Sequence, residues 1–281
     1  MSKKCSKEEM LLRKNRIEML HSRILEKESI GGEAFFEDIE NDPESREIKP
    51  DEVDYLYKKP SSKIKAFIAE LFANKLYKTV KKTNQIELVG EENLIGFEGG
   101  AILTGNHFHF FDSGNAMHIA YKLKKRKKLF RVVKEGNFFM KGLFGFLLKN
   151  SHTLPLSSNM KTMMKFNKAI ETLLNEGNLI LIYPEQSMWW NYRKPRPHRS
   201  GAAHYAAKHN VPIISYFVTM EDLNTFDDNG EPNQKYTIHV LPLIYPDKNK
   251  SVKENEIEMT KKNYDGWVQV YEETYNKKLV Y

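Results

Sequence analysis

From residue 85 to about residue 245 the chain alternates short apolar runs with longer segments of helical periodicity, and this limits the fold more than any other feature. The runs are "QIELV", "AILTG", "LFRVV", "HTLPL", "NLILIY", "VPIISYFV" and "YTIHVLPLI"; helical patterns occupy 113–126, 137–149, 159–176 and 200–209. A run such as "LILIY" offers no polar alternate positions, so both faces of that strand need cover. Strands joined through helices, with both faces covered, predict an α/β fold with a mostly parallel central sheet flanked by helices. An amphipathic segment at 255–277 closes the chain. In such sheets reactive groups gather where strands end and helices begin. Two stretches fall at those points, 105–112 and 183–199.

The first stretch, "GNHFHFFDSGN", sets His107 and His109 just ahead of Asp112. Three readings are open. Asp112 is the N-cap of the helix at 113–126 and His107 merely packs. Alternatively the carboxylate accepts the Nδ1–H of His107, which fixes the tautomer, leaves Nε2 free as a base and stabilises the imidazolium once formed. The third is a metal site of His107, His109 and Asp112, the chemistry of a metal-dependent hydrolase; no cysteine- or carboxylate-rich partner motif accompanies it. His152, His204 and His239 read as ordinary core or surface residues.

Residues 1–60 differ in character: a charge-rich helix near 7–27, then the acidic, turn-prone "FFEDIENDPESREIKPDEVD". They read as an N-terminal helical appendage without its own core. Residues 61–84 form an amphipathic helix, with Ile64, Phe67, Ile68, Leu71, Phe72, Leu76 and Val80 at helical spacing opposite lysines. That helix either packs on the main domain, 85–281, or presses its apolar side chains into a lipid interface. The net charge of +7 favours anionic partners. Nucleic acid is not expected, because no binding motif accompanies the charge. Cys5 is the single cysteine, so no internal disulfide is expected and a reducing compartment is the natural reading. No run reaches the eighteen or so apolar residues of a spanning helix, and no signal-peptide pattern opens the chain. These features predict a cytoplasmic protein, peripheral on the inner face of the membrane.

The blocks that follow "NHFHFFD" carry a resemblance. Asn106, His107 and Asp112 resemble the N-H-x-S-x-x-D block of the phospholipid/glycerol acyltransferase family, typified by 1-acyl-glycerol-3-phosphate acyltransferases, with His109 at the serine position. "VVKEGNFFMKGLFGFLLKN" resembles the second block and "LIYPEQSMWW" the third, with Pro184 and Glu185 matching. "HRSGAAHYAAKHNVPIISYFV" resembles the fourth, with Arg199, Gly201, Ala202 and 211–213. The resemblance implies an acyltransferase that moves a fatty acyl group from acyl-CoA or acyl-carrier protein to a hydroxyl of a lysophosphatidic acid-like acceptor. It implies His107 as general base, Asp112 as its orienting partner, no acyl-enzyme, and no cofactor beyond the thioester co-substrate.

Two departures bear on the acceptor. The second block ends in "TLPLSSN" without the family's arginine, and P-E-G-T-R becomes Pro184, Glu185, Gln186, Ser187 and Met188. Both missing arginines are suited to holding a phosphate. Either cations of "NYRKPRPHR" (Arg193, Lys194, Arg196, Arg199) or Lys161 replace them, or the acceptor is a non-phosphate compound such as a glycolipid, with Trp189 and Trp190 against a sugar or lipid. A catalytically inactive lipid-binding homologue is a further alternative. The expected substrate-binding residues are therefore Asn106, His109, Pro184, Glu185, Gln186, Ser187, Arg193 and Arg199. The apolar helix "NFFMKGLFGFLL" is either core or the wall of an acyl-chain pocket through Phe138, Phe144 and Leu147.

Overall fold

A computed structural model describes residues 7–40, 45–123, 129–226 and 231–281. Cys5 and the whole of the basic run "KKRKK" at 124–128 lie outside these residues. The sheet has seven strands: β1 Glu87–Val89, β2 Ala101–Thr104, β3 Leu129–Val133, β4 Thr153–Pro155, β5 Leu179–Leu181, β6 Ile213–Phe226 and β7 Pro232–Val240. Their order across the sheet is β1-β7-β6-β2-β5-β3-β4. All neighbours run parallel except β6 and β7, which form a long antiparallel pair. The expected α/β class with a mostly parallel sheet is therefore the observed one.

Both faces of the sheet are buried, as the uninterrupted runs require. Ala101 and Leu103 of β2, Leu179 and Leu181 of β5, and Ile214 of β6 point to one face. Their sequence neighbours Ile102, Ile180 and Ile213 point to the other. The first face is covered by helix α3, Ser113–Lys122, the second by α5, Met160–Asn175, and α6, Gly201–Lys208.

Element boundaries shift where local chemistry decides. The helix expected at 137–149 is a single 3-10 turn, Gly136–Phe139, followed by α4, Gly142–Asn150. The chain folds back so tightly there that a Cβ on Gly145 would lie 1.9 Å from the Met140 carbonyl oxygen. The last helix, α7 Val252–Tyr275, starts earlier than its apolar periodicity suggests. Its start is set by a capping box in which Ser251 and Glu254 satisfy each other's backbone N–H. The run "YTIHVLPLI" stops being a strand at Val240, and only Ile244 rejoins the sheet, as a bridge to Ile213.

The N-terminal segment has no core of its own; it completes that of the main domain. Ile17, Leu20 and Ile24 of α1, Lys7–Ile30, gather with Phe35 and Ile39 around the fully buried Trp189. Tyr55 donates its hydroxyl hydrogen bond to the Pro155 carbonyl, and Tyr57 Oη accepts from the Thr153 N–H. Helix α2, Pro60–Thr83, turns Ala66 and Ala69 inward. Ile64, Phe67, Ile68, Leu71 and Phe72 instead face solvent, with Ile64 and Phe67 each 61% exposed. Leu76 and Val80 of the same stripe turn inward, so it divides along its length: its C-terminal end packs on the main domain and its N-terminal part faces solvent.

Candidate active site

Strand β2 ends at Thr104, and the next residues turn across the C-terminal edge of the sheet. Gly105 permits that turn, since a Cβ there would lie 2.1 Å from the Tyr216 ring. Asn106 is buried and spends both ends of its amide on β6, donating to the Val218 carbonyl and accepting the Val218 N–H. It thereby extends the β2–β6 pairing by one side chain. His107 is placed at the loop crest, with its ring a quarter exposed, the side chain 25% accessible.

The Asp112 carboxylate, only 2% accessible, organises the loop. Its Oδ2 accepts from His107 Nδ1 at 2.7 Å, from the Phe108 N–H at 2.9 Å and from the His109 N–H at 3.2 Å. Its Oδ1 accepts from the Tyr183 hydroxyl at 2.5 Å. Asp112 does precede α3, but its side chain does not cap that helix; it turns back onto the loop, where more donors await it. A carboxylate with every bond an accepted one places the proton on Nδ1 and leaves Nε2 of His107 with a lone pair. Tyr183 also stacks on the imidazole, ring centroids 4.0 Å apart and 11° from parallel. Burial and then the charge of Asp112 hold the Tyr183 hydroxyl well above its usual range, so it stays a proton donor.

The third block supports this loop from beneath. Glu185 accepts the His107 N–H at 2.9 Å and forms a buried ion pair with Arg196 at 2.8 Å. Arg196 lies over the Trp189 ring and also donates to the Ser187 hydroxyl and the Phe35 carbonyl. Backbone bonds Trp189 N–H to His107 O and Asn191 N–H to Phe108 O tie the two loops together. Gln186, standing where the family has glycine, is exposed with φ 59°. Pro184 is buried, and its carbonyl accepts the Arg199 N–H. Ser187 and Met188 are buried rather than presented to the cleft.

His109 accepts the Phe111 N–H on Nδ1 and lies 4.6 Å from the Trp190 ring, so it faces away from the His107–Asp112 pair's shared oxygen. Among the described residues no three His, Cys, Asp or Glu side chains form a metal-binding group. Arg193 is bound to Asp222 and Gln234, and Arg199 pairs with Glu33 and lies over Phe36. Lys194 pairs with Glu28. The cations of "NYRKPRPHR" are thus neutralised locally, a contact set invisible from their own stretch.

A cavity opens beside the loop between α2, α3 and α4. Phe110 and Phe111 reach it from the loop, Phe144 and Leu147 from α4, and Leu76 and Val80 from α2. Phe138 is not part of it; that ring is buried against Phe139 with Lys149 over it. The residues that sequence reasoning missed are Tyr183 and the structural role of Arg196. Tyr183 could have been flagged by its place between a strand end and "PE", whereas nothing local marks Arg196.

The site thus joins an imidazole oriented by a buried carboxylate to a cavity lined by Phe110 and Phe111 of the same loop. Residues 85–219 match the family model described as Acyltransferase. The matched stretch, which runs from β1 into β6 and holds the His107 loop, is an acyltransferase domain, and the protein is an acyltransferase enzyme. Among solved structures it is similar to the 1-acyl-sn-glycerophosphate (LPA) acyltransferase, PlsC, from Thermotoga maritima, with 15% identity, a TM-score of 0.48, and coverage of 75% of this chain and 84% of that one. A search of curated proteins finds no match.

Proposed function

We propose that this enzyme transfers a fatty acyl group from acyl-CoA or acyl-carrier protein to a hydroxyl of a glycerolipid-type acceptor, lysophosphatidic acid-like, in membrane lipid synthesis. The observation that carries the reading is His107, held by Asp112 through Nδ1 with Nε2 unencumbered. Nε2 takes the acceptor's hydroxyl proton as that oxygen attacks the thioester carbonyl carbon. The tetrahedral intermediate then expels the thiolate by breaking the C–S bond, and the imidazolium returns the proton to the leaving sulfur. Asp112 stabilises the imidazolium between these steps. The site supplies its base without a cofactor, and no side chain is needed as a nucleophile.

The cavity walled by Phe144, Leu147 and Leu76 suits the acyl chain, each buried methylene contributing roughly 0.8 kcal/mol. Among the described residues no helix is long and apolar enough to cross a membrane. The exposed stripe of α2 supports peripheral association with an anionic cytoplasmic leaflet, apolar side chains entering lipid and lysines meeting headgroups. His107→Ala is the test. Thiol release from acyl-CoA in the presence of lysophosphatidic acid should fall by roughly 10²–10⁴-fold with an unchanged melting curve. Full turnover by the variant refutes the assignment.

A further inference from the structure

Arg131 breaks the pattern of the strand that carries it. On β3 the side chains of Leu129 and Phe130 go to opposite core clusters, so Arg131 shares the face of Leu129. Its register partner on β5 is Leu181, and the same face carries Leu103 and Ile214. A guanidinium therefore occupies a place where the neighbouring strands put aliphatic side chains, and it lines the cavity beside the catalytic loop.

Its bonding is incomplete. Nη1 donates to the carbonyl oxygens of Leu129 at 3.3 Å and Ser151 at 3.0 Å. Among the described residues no carboxylate comes within ion-pair distance. Glu70, the acid whose field reaches Arg131, is itself bonded to His152 at 2.8 Å. Ser151 lines the same cavity, and its hydroxyl is buried without a hydrogen-bond partner among the described residues. A half-buried cation without an acidic partner is stabilised when an anion joins it, and a buried hydroxyl lacking a partner is stabilised by an acceptor. Both deficits are met by one oxyanion.

Position relates this pocket to the chemistry. Arg131 is level with Leu181, two residues before Tyr183, whose ring stacks on His107. That is about 7 Å along the strand, which an arginine side chain and a glycerol-sized acceptor span together. Tyr183 feels the charges of both Asp112 and Arg131. Leu76 and Val80 of α2, Phe144, Leu147 and Leu148 of α4, and Phe110 and Phe111 make most of the remaining lining apolar. An amphiphile with an oxyanion and a chain matches this division.

Resting on the acyl-transfer reading above, we propose that Arg131 and Ser151 form the site for an anionic oxygen of the acceptor, phosphate or carboxylate, while its hydroxyl lies at His107. Arg131 thus holds the charge that the absent block arginines and the locally paired Arg193, Arg196 and Arg199 do not.

The experiment compares Arg131→Met and Arg131→Lys with wild type, using lysophosphatidic acid, a carboxylate-bearing lysoglycerolipid and neutral monoacylglycerol as acceptors. Loss of a charge-assisted bond, about 1.5–3 kcal/mol, should raise KM for anionic acceptors roughly 10- to 100-fold in Arg131→Met. KM for monoacylglycerol and for the acyl donor should stay within about twofold. Arg131→Lys, which keeps charge without the fork, should lie between and serves alone if the Met variant does not fold. A shift confined to the phosphate acceptor, or shared by both anions, supports the site and identifies the anion. Equal shifts for anionic and neutral acceptors, or no shift, overturn it. Tryptophan fluorescence with lysophosphatidic acid as the probe separates the two readings. Binding by wild type that Arg131 variants lose, without turnover on any acceptor, keeps the anion site and removes the acyl-transfer reading. Wild-type turnover with no effect of the variants, or no binding by wild type, removes the anion site.

Discussion

Asp112→Asn isolates the charge behind His107 from the geometry that positions it. Three donors converge on Oδ2, the His107 Nδ1–H and the N–H groups of Phe108 and His109, while Oδ1 receives only the Tyr183 hydroxyl. An asparagine therefore has one good orientation, its oxygen toward the three N–H donors and its amide NH2 toward Tyr183. The tyrosine hydroxyl can rotate to accept, so the imidazole keeps both its tautomer and its direction. What disappears is the negative charge that stabilises the imidazolium. Unit charges about 4 Å apart at an effective dielectric of about 20 interact by about 4 kcal/mol. The imidazole side chain is 25% accessible, and solvent screening lowers this to about 2–3 kcal/mol. That predicts a kcat about 30- to 150-fold lower with donor KM unchanged. Continuous thiol detection with saturating acyl-CoA measures it, and thermal unfolding checks that the loop remains folded. Asp112→Ala would strand buried N–H groups and confound the two effects. Turnover of Asp112→Asn within threefold of wild type refutes the electrostatic role and reduces Asp112 to a loop anchor.

Three further outcomes are expected. Replacing Phe67 and Phe72 of α2 by serine should weaken flotation with anionic vesicles several-fold while leaving the melting temperature within a degree or two, because both rings are already exposed; undiminished flotation rejects the interfacial role. Gln186→Gly relieves a left-handed backbone at φ 59°, a strain of about 1–2 kcal/mol partly offset by about 0.4–1 kcal/mol of unfolded-state entropy. Urea unfolding should show a gain between zero and about 1.6 kcal/mol, and a clear loss contradicts the argument. Burial brings His118 down to about 4 from 6.5, where its Nδ1 meets the Tyr77 hydroxyl of α2 and Lys81, Lys122 and Glu91 surround it. The folded state therefore binds this proton later than the unfolded state as pH falls, so its stabilising effect is complete above pH 6.5 and lost progressively toward 4. His118→Gln should flatten the fall of melting temperature across that window, and an unchanged slope excludes the residue as its source.

Much of the fold was legible because sheet burial leaves a local mark. "LILIY" and "AILTG" announce strands covered on both sides, and their ends located the loops that carry His107 and Glu185. The spacing of His107 and Asp112 was legible too, since five residues of tight turn bring a ring and a carboxylate together within one loop. The helix start at 159 was legible, where the Asn159 side chain accepts the Thr162 N–H, whereas the start at Ser251 was not, because its capping box lies outside the apolar periodicity. The amphipathic pattern of α2 was readable, but not that only the Leu76–Val80 end of its stripe would meet the core, since periodicity defines a face and only the neighbouring elements decide its use.

The amino-acid sequence by itself determined the succession of strands and helices along the chain and set His107 within turn's reach of Asp112, because these depend on backbone geometry over a few residues. Tertiary structure alone decided what those residues meet. It brought Tyr183 to Asp112, buried Arg196 against Glu185, drew Arg193 and Arg199 into ion pairs with Asp222 and Glu33, and left Arg131 facing the cavity with no carboxylate in ion-pair distance among the described residues. Such pairings join segments far apart in the chain, and their energies come from desolvation and packing that no local pattern records.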